Sequence, residues 1–271
     1  MIDLSKASKA AEQAAYAAGT HLLASRSRLA EVVITQKQPG DVVSDIDREA
    51  EALIRDVLLK HFPDHQFMGE ENGGFLHDDA PTWVVDPLDG TANYLRGYPQ
   101  YAVSIALVEE GEPVLCVVFD PCRNEFFGAI RGRGAVLNGH LIRCAAPRPA
   151  ITAMAATVFP KPTSPRMPQY MGELSRVLQS FGGVRRSGSM TLEMAYLAAG
   201  RIDAFWEHDM GAWDAAAGVV LLRESGAVVH ARDGQNLLNS RSLMASTPSL
   251  LADFAAQLGP HTPHRPHSVN R

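Results

Sequence analysis

Acidic side chains gather at four places in this chain where the backbone is expected to turn. They are Asp41-Val42-Val43-Ser44-Asp45-Ile46-Asp47, Glu70-Glu71 after Gly69, Asp86-Pro87-Leu88-Asp89-Gly90-Thr91, and Trp213-Asp214-Ala215-Ala216-Ala217-Gly218. Carboxylates brought together in this way can hold hard divalent cations such as magnesium. Such ions neutralise phosphoryl oxygens and activate water, which is what phosphate-ester hydrolysis needs. Each place also has a plainer explanation. Asp, Pro and Gly are ordinary turn residues, Asp47 suits the first turn of a helix, Asp214 suits a helix cap, and Glu70-Glu71 suit an exposed loop. The chemistry therefore depends on whether folding brings the four places together.

The third place carries the most information. An apolar strand, Trp83-Val84-Val85, runs into Asp86. Pro87 fixes its own φ and is expected to force a turn. Gly90 lets main chain approach an anion, and Thr91 opens a short segment whose amides can face a phosphate.

The elements that must aim these residues follow from the pattern. Residues 4–28 read as a long Ala- and Leu-rich helix and 32–35 as a short strand. Residues 37–40, with Pro39-Gly40, read as a turn or mobile loop. From Ser44 the apolar positions Ile46, Ala50, Leu53, Ile54, Val57 and Leu58 share one helical face. Ser44 is placed as its N-cap, with Asp47 three residues on. Strands are expected at 101–108, 114–119 and 125–130, with hairpin turns at Gly111-Glu112 and Arg123-Asn124. The second half alternates. Strands are expected at 151–158, 203–206, 227–230 and 243–245, and helices at 167–179, 190–199, 213–223 and 250–258. This mixture argues for an α+β arrangement of layers rather than a doubly wound open sheet. One domain is expected over 1–258, with an α+β half (1–145), an α/β half (146–258) and a disordered His/Pro-rich tail (259–271).

The bulk numbers fit an ordinary globular protein: 271 residues, 46% apolar, 20% charged. Net charge is −5 and pI about 6.0, so no basic excess points to nucleic acid or a membrane surface. Three cysteines, Cys116, Cys122 and Cys144, have no CxxC spacing and suggest neither a disulfide framework nor a zinc site. No secretion signal or spanning segment is expected, and the reading is of a reduced, cytoplasmic protein.

Taken together, Gly69-Glu70-Glu71, the run from Trp83 to Tyr94 containing Asp86-Pro87-Leu88-Asp89-Gly90-Thr91, and Trp213-Asp214-Ala215-Ala216-Ala217-Gly218 resemble the signatures of the inositol monophosphatase family, in particular its bacterial inositol-1-monophosphatases. Asp41-Val42-Val43-Ser44 with Asp47, Tyr101 to Leu107, and Gly134 to Gly139 extend the likeness to about residue 258. The resemblance implies a layered αβαβα sandwich of the sugar phosphatase type, two or three Mg²⁺ ions, and in-line attack by a metal-activated water. By motif position it implies that Glu70, Asp86 and the Leu88 carbonyl hold one metal, that Asp86, Asp89 and Asp214 hold a second, and that Glu70 supports a third. It implies that Thr91, paired with Asp47, orients and helps deprotonate the water, and that Gly90 and Thr91 amides hold the phosphate. Lys37 resembles a lysine on a mobile flap, and inhibition by lithium and calcium is implied.

For the substrate, the resemblance assigns Glu207 to ring hydroxyls, and the Gly188 and Ser189 amides, with Asp214, to further contacts. Met190, Thr191 and Glu193 depart from the family pattern. A small phosphorylated polyol, inositol 1-phosphate first, is therefore expected, with histidinol phosphate, adenosine 3′,5′-bisphosphate and fructose 1,6-bisphosphate as alternatives. A homodimer is implied. Two other classes stay open: a phosphatase with an aspartyl nucleophile, whose two acids would be one residue closer, and a regulatory protein that uses the fold to bind a partner, since some bacterial relatives associate with transcription machinery.

Overall fold

The computed structural model describes residues 2–29, 34–38, 41–77 and 80–260, and of 34–43 only the backbone. Helix α1 (Leu4–Ser25) starts at Asp3, whose carboxylate accepts the Ser5 and Lys6 amides. Its buried stripe is mostly alanine, which lets the helix lie close to the sheet beneath it. Phe119 fills the space where a side chain on Gly19 would go. Strands β1 (Ile34–Gln38) and β2 (Asp41–Ser44) form a hairpin. The expectation of a loop from residue 37 is corrected here. Lys37 belongs to β1, at a register shift between Gln36 and Gln38, because residues 34–38 pair with β2 as an extended strand; residues 39–40 lie outside the described residues. Residues 32–33 of the expected strand and 261–271 of the expected tail also lie outside them.

Helix α2 (Asp45–His61) follows, and then the strands of the large sheet: β3 (Gln66–Gly69), β4 (Thr82–Asp89), β5 (Ala102–Glu109), β6 (Glu112–Asp120), β7 (Glu125–Ile130), β8 (Gly134–Leu137) and β9 (His140–Ile142). A short helix, α3 (Thr91–Leu95), separates β4 from β5. The strands lie side by side in chain order. β3 and β4 run parallel and every other neighbouring pair antiparallel. The β5–β6 hairpin turns at Glu110-Gly111, both with positive φ, one residue before the expected pair, as a two-residue hairpin loop requires.

The smaller sheet has the order β11 (Gly183–Arg185), β10 (Met154–Thr157), β12 (Ala204–His208), β14 (Ser242–Ser246), β13 (Val228–Ala231). Helices α4 (Met167–Ser180), α5 (Met190–Ala198), α6 (Ala212–Ser225) and α7 (Leu251–Leu258) complete the chain. A 3₁₀ turn at Ala150–Thr152 takes the start of the strand expected at 151–158.

Four apolar clusters define five layers. Trp83, Val85, Ile105 and Leu107 pack with α1 and α2, while Val84, Ala106 and Val118 point the other way onto Ala216 and Val220 of α6. Phe205, Leu243 and Ala245 meet the opposite side of α5 and α6. Trp206 and Ala204 turn away to Tyr170 of α4 and Phe254 of α7. The result is the αβαβα sandwich. Its two sheets are covered on both faces, so alternate residues of each strand serve two different cores. α5 and α6 lie between the sheets and are apolar nearly all round. Among the described residues, no helix is long and apolar enough to cross a membrane.

Candidate active site

The acids meet where strand ends and helix starts converge. Strand β4 does not stop at Pro87, as the sequence suggested. It continues to Asp89 through a bulge: Asp86 pairs with Ser104 and Asp89 with Ala102, so two residues face one. Pro87 is tolerated there because a bulge needs no ladder donor at that position. The bulge folds Leu88 back. Its amide donates to Asp86 Oδ1 at 3.0 Å, and its carbonyl accepts the Thr91 hydroxyl at 3.0 Å.

The same Thr91 hydroxyl lies 2.9 Å from Asp47 Oδ1. Asp47 is held in turn by the N-terminus of α2. Its Oδ2 accepts the Ser44 amide at 2.9 Å and the Ser44 hydroxyl, completing a capping box. Asp47 is therefore a helix-cap residue whose other carboxylate oxygen reaches Thr91. Burial pushes its carboxyl above the ordinary range, against the opposing pull of the Ser44 and Thr91 hydrogen bonds.

Glu70 reaches the same corner through the parallel pairing of β3 with β4. Gly69 sits opposite Val85, so Glu70 falls beside Asp86, and its amide donates to the Val85 carbonyl at 3.1 Å. Asp89 is fixed from the far side. It accepts the Ser189 hydroxyl at 2.6 Å, the Thr191 amide at 2.7 Å, the Met190 amide at 3.2 Å and the Thr191 hydroxyl. It thus lies at the N-terminus of α5, where helix dipole and amides favour an anion. Asp214 lies in the first turn of α6, its Oδ2 accepting the Gly211 amide at 2.6 Å.

These carboxylates act on one another. Asp86 is pushed well above the ordinary range, first by complete burial and then by the charges of Glu70, Asp89 and Asp214. Burial also raises Asp89. Among the described residues, no group of three or more His, Cys, Asp or Glu side chains stands ready-made at coordination distance. The two findings concern different ranges. Coulomb repulsion in a water-poor site acts over several Å, whereas a magnesium ligand sits about 2.1 Å from the ion. The donor set itself, hard oxygens with mutually repelling buried charge, fits a divalent cation.

Gly90 (φ +96°) and Gly188 (φ +91°) face each other, and a Cβ on Gly90 would lie 2.9 Å from the Gln100 carbonyl and 3.3 Å from that of Gly188. Asn93 ties this junction, donating to Gln100 O at 2.7 Å and Ser187 O at 2.8 Å. Beyond it opens a pocket of about 470 Å³ that includes Asp89, Gly188, Glu207 and Asp214, with Phe159, Met190 and Arg186 around them. Glu207 is 5% exposed, and its Oε2 has no hydrogen-bond partner among the described residues. Burial, then Asp214, holds its carboxyl well above the ordinary range. Ser189 is fully buried, with its hydroxyl given to Asp89. Asp47, Glu70, Asp86, Leu88, Asp89, Gly90, Thr91, Gly188, Ser189, Glu207 and Asp214 thus lie around one connected region, while the side chain of Lys37 lies outside what is described. Sequence reasoning noted Thr191 only as a departure from the family pattern and missed that its amide and hydroxyl hold Asp89. It also missed Asn93.

Comparison with known proteins gives a family and a fold. The profile of the inositol monophosphatase family matches residues 3–262. The chain is 43% identical over 215 residues to an inositol-1-monophosphatase of Rhizobium meliloti (strain 1021), covering 79% of this chain and 81% of that protein. It is 38% identical over 266 residues to the Nus factor SuhB of Pseudomonas aeruginosa, covering 96% and 97%. The crystal structure of the extragenic suppressor protein suhB from Bartonella henselae superposes with a TM-score of 0.88 at 36% identity, covering 92% of this chain and 97% of that one. The chain belongs to the inositol monophosphatase family.

Proposed function

We propose that this chain, acting as one domain over residues 1–258 and as a homodimer, is a Mg²⁺-dependent phosphatase for a small phosphorylated polyol, inositol 1-phosphate first. The observation that carries the proposal is one pocket that joins Asp89 and Asp214 to the unpartnered oxygen of Glu207. Glu70, Asp86, Asp89, Asp214 and the Leu88 carbonyl would hold two or three Mg²⁺ ions. When bound, these would neutralise phosphoryl charge and acidify water.

The chain's own groups do the rest. The one Thr91 hydroxyl proton is shared between the Leu88 carbonyl and Asp47; moved fully to Asp47, it leaves the threonine oxygen to accept a proton from the attacking water. The raised pKa of Asp47 suits it to receive that proton in turn. Amides of Gly90 and Thr91, at the start of α3, face the phosphate. Gly188 and Ser189 main chain and the Glu207 carboxylate face the alcohol portion.

The test is phosphate release from inositol 1-phosphate, histidinol phosphate, adenosine 3′,5′-bisphosphate and fructose 1,6-bisphosphate, with and without Mg²⁺. Absence of metal-dependent release from all four would refute the enzyme reading. A partner-binding role is favoured by relatives named Nus factor SuhB. Equal growth rescue of a strain lacking its SuhB relative by wild type and by Asp89→Asn would establish that role.

A further inference from the structure

Glu51 is a carboxylate with no exposed surface, one helical turn beyond Asp47 on the same buried face of α2. Two acids at i and i+4 repel each other on a helix, and burial adds to the cost, so packing alone does not account for Glu51. Its partners do. Oε2 accepts the Glu71 amide at 2.8 Å, and Oε1 accepts the Asn72 amide at 3.0 Å and the Asn72 side-chain amide at 2.7 Å. All three donors belong to the turn that carries Glu70.

The turn is also closed on itself by paired amides and carbonyls of Gly69 and Gly73, at 2.9 and 3.0 Å, and docked on β4 through the Glu70 amide. Gly69 must lack a side chain, because a Cβ there would collide with the Glu51 carboxylate. One face of α2 therefore holds two parts of the site. Asp47 fixes Thr91, and Glu51 fixes the Glu70 turn.

We infer that Glu51 is a positioning residue that sets Glu70 for cation binding. This rests on the reading of Glu70 as a metal ligand. Glu51 touches neither substrate nor metal. It acts by holding two backbone amides so that the Glu70 carboxylate faces Asp86 before any ion arrives. Removing an outer partner of this kind weakens metal affinity by roughly 10-fold or more.

The experiment uses the full-length protein and three variants: Glu51→Gln, which replaces one acceptor oxygen by a donor, Asn72→Ala, which trims an exposed side chain, and Glu70→Gln. Mg²⁺ binding is measured by calorimetry, the Mg²⁺ dependence of phosphate release is titrated, and hydrogen exchange is followed at the 70–72 amides. Glu51→Gln should raise the half-saturating Mg²⁺ roughly 10-fold, keep most of kcat at saturating Mg²⁺, and speed exchange at Glu71 and Asn72. Asn72→Ala should shift all three in the same direction and by less, and it decides the matter should Glu51→Gln not fold. A lower melting temperature with unchanged Mg²⁺ affinity in both variants would overturn the inference. If Glu70→Gln itself leaves Mg²⁺ affinity unchanged, the metal assignment falls and takes the inference with it. A weakened Glu70→Gln beside an unchanged Glu51→Gln overturns the inference alone.

Discussion

Asp86 and Glu173 are both withdrawn from water, at 2% and 0% exposure, and their surroundings are opposite in charge. Around Asp86 stand Glu70, Asp89 and Asp214. Around Glu173 stand His208 at 2.8 Å, Arg232 at 2.8 Å and the Gln169 amide at 2.9 Å, with Ser242 on the other nitrogen of His208 at 2.9 Å. Burial works to raise both carboxyls. At Asp86 the neighbours add to it. At Glu173 the hydrogen bond and charge of His208, then Arg232, outweigh it and hold the group below its ordinary range. The Glu173 cluster is complete in itself and fastens α4 to β12 and to Arg232, one residue past β13. The Asp86 cluster has charge left over, and that surplus is what the proposed cation site would neutralise.

The largest expected effect separates the two sites by activity. On the proposed metal assignment, Asp86→Asn removes a ligand from a site whose ions would stabilise the transition state by several kcal/mol, so turnover should fall by roughly a thousandfold. Metal-free thermal stability should hold or rise, because a like charge has been relieved. Phosphate release and melting curves check both halves, and near-wild-type turnover at saturating Mg²⁺ would remove Asp86 from the site. Glu173→Gln should behave the other way round. It strands a buried Arg232, at a cost of about 3–5 kcal/mol, while turnover per folded molecule stays near wild type. Urea unfolding with a matched activity assay checks this, and an unchanged midpoint would show that the cluster adds no stability.

A smaller effect follows from pH. The folded-state pKa of Glu173 lies below its ordinary 4.5. Its stabilising contribution is therefore fully present above the unfolded value and is lost as pH falls through the folded one. The stability gap between wild type and Glu173→Gln should close on acidification from neutral pH. Parallel curves down to pH about 3 would mean that the pairing with His208 and Arg232 contributes nothing through linkage.

The two clusters also differ in how far they could be read from sequence. The meeting of Asp86, Asp89, Glu70 and Asp214 was legible because each sits in a short local pattern, a strand end or helix start, that resembles a family signature. So was the layer order, since strand and helix runs separate cleanly once Pro and Gly mark the breaks. The Glu173 cluster was not legible. Its members lie 35 and 59 residues apart in the chain and nothing local marks them. Glu51 was missed for a similar reason: inside an amphipathic helix, an acid at the edge of the apolar face looks like solvent-facing charge until the 70–72 turn is seen above it. The bulge at Pro87 was missed because proline usually ends a strand, and only the pairing with β5 shows the chain continuing to Asp89.

Glu207 stands between the two cases and offers the finest test of the comparison. It is buried like Glu173 and adjoins His208, yet its Oε2 points to no donor among the described residues. Arg186 pulls its pKa down less than burial and Asp214 push it up. An oxygen left unsatisfied in a pocket is costly unless a ligand completes it. A polyol hydroxyl would do so, whereas an aryl phosphate without hydroxyls would not. Glu207→Gln keeps the shape and replaces one carboxyl oxygen by an amide donor, a loss of about 1.5 kcal/mol, or roughly 10-fold in affinity. The expected outcome is a KM for inositol 1-phosphate raised by about that factor at nearly constant kcat, with the KM for the aryl ester unmoved. Equal changes for both substrates would mean that Glu207 serves the fold, as Glu173 does, and not the recognition of hydroxyls.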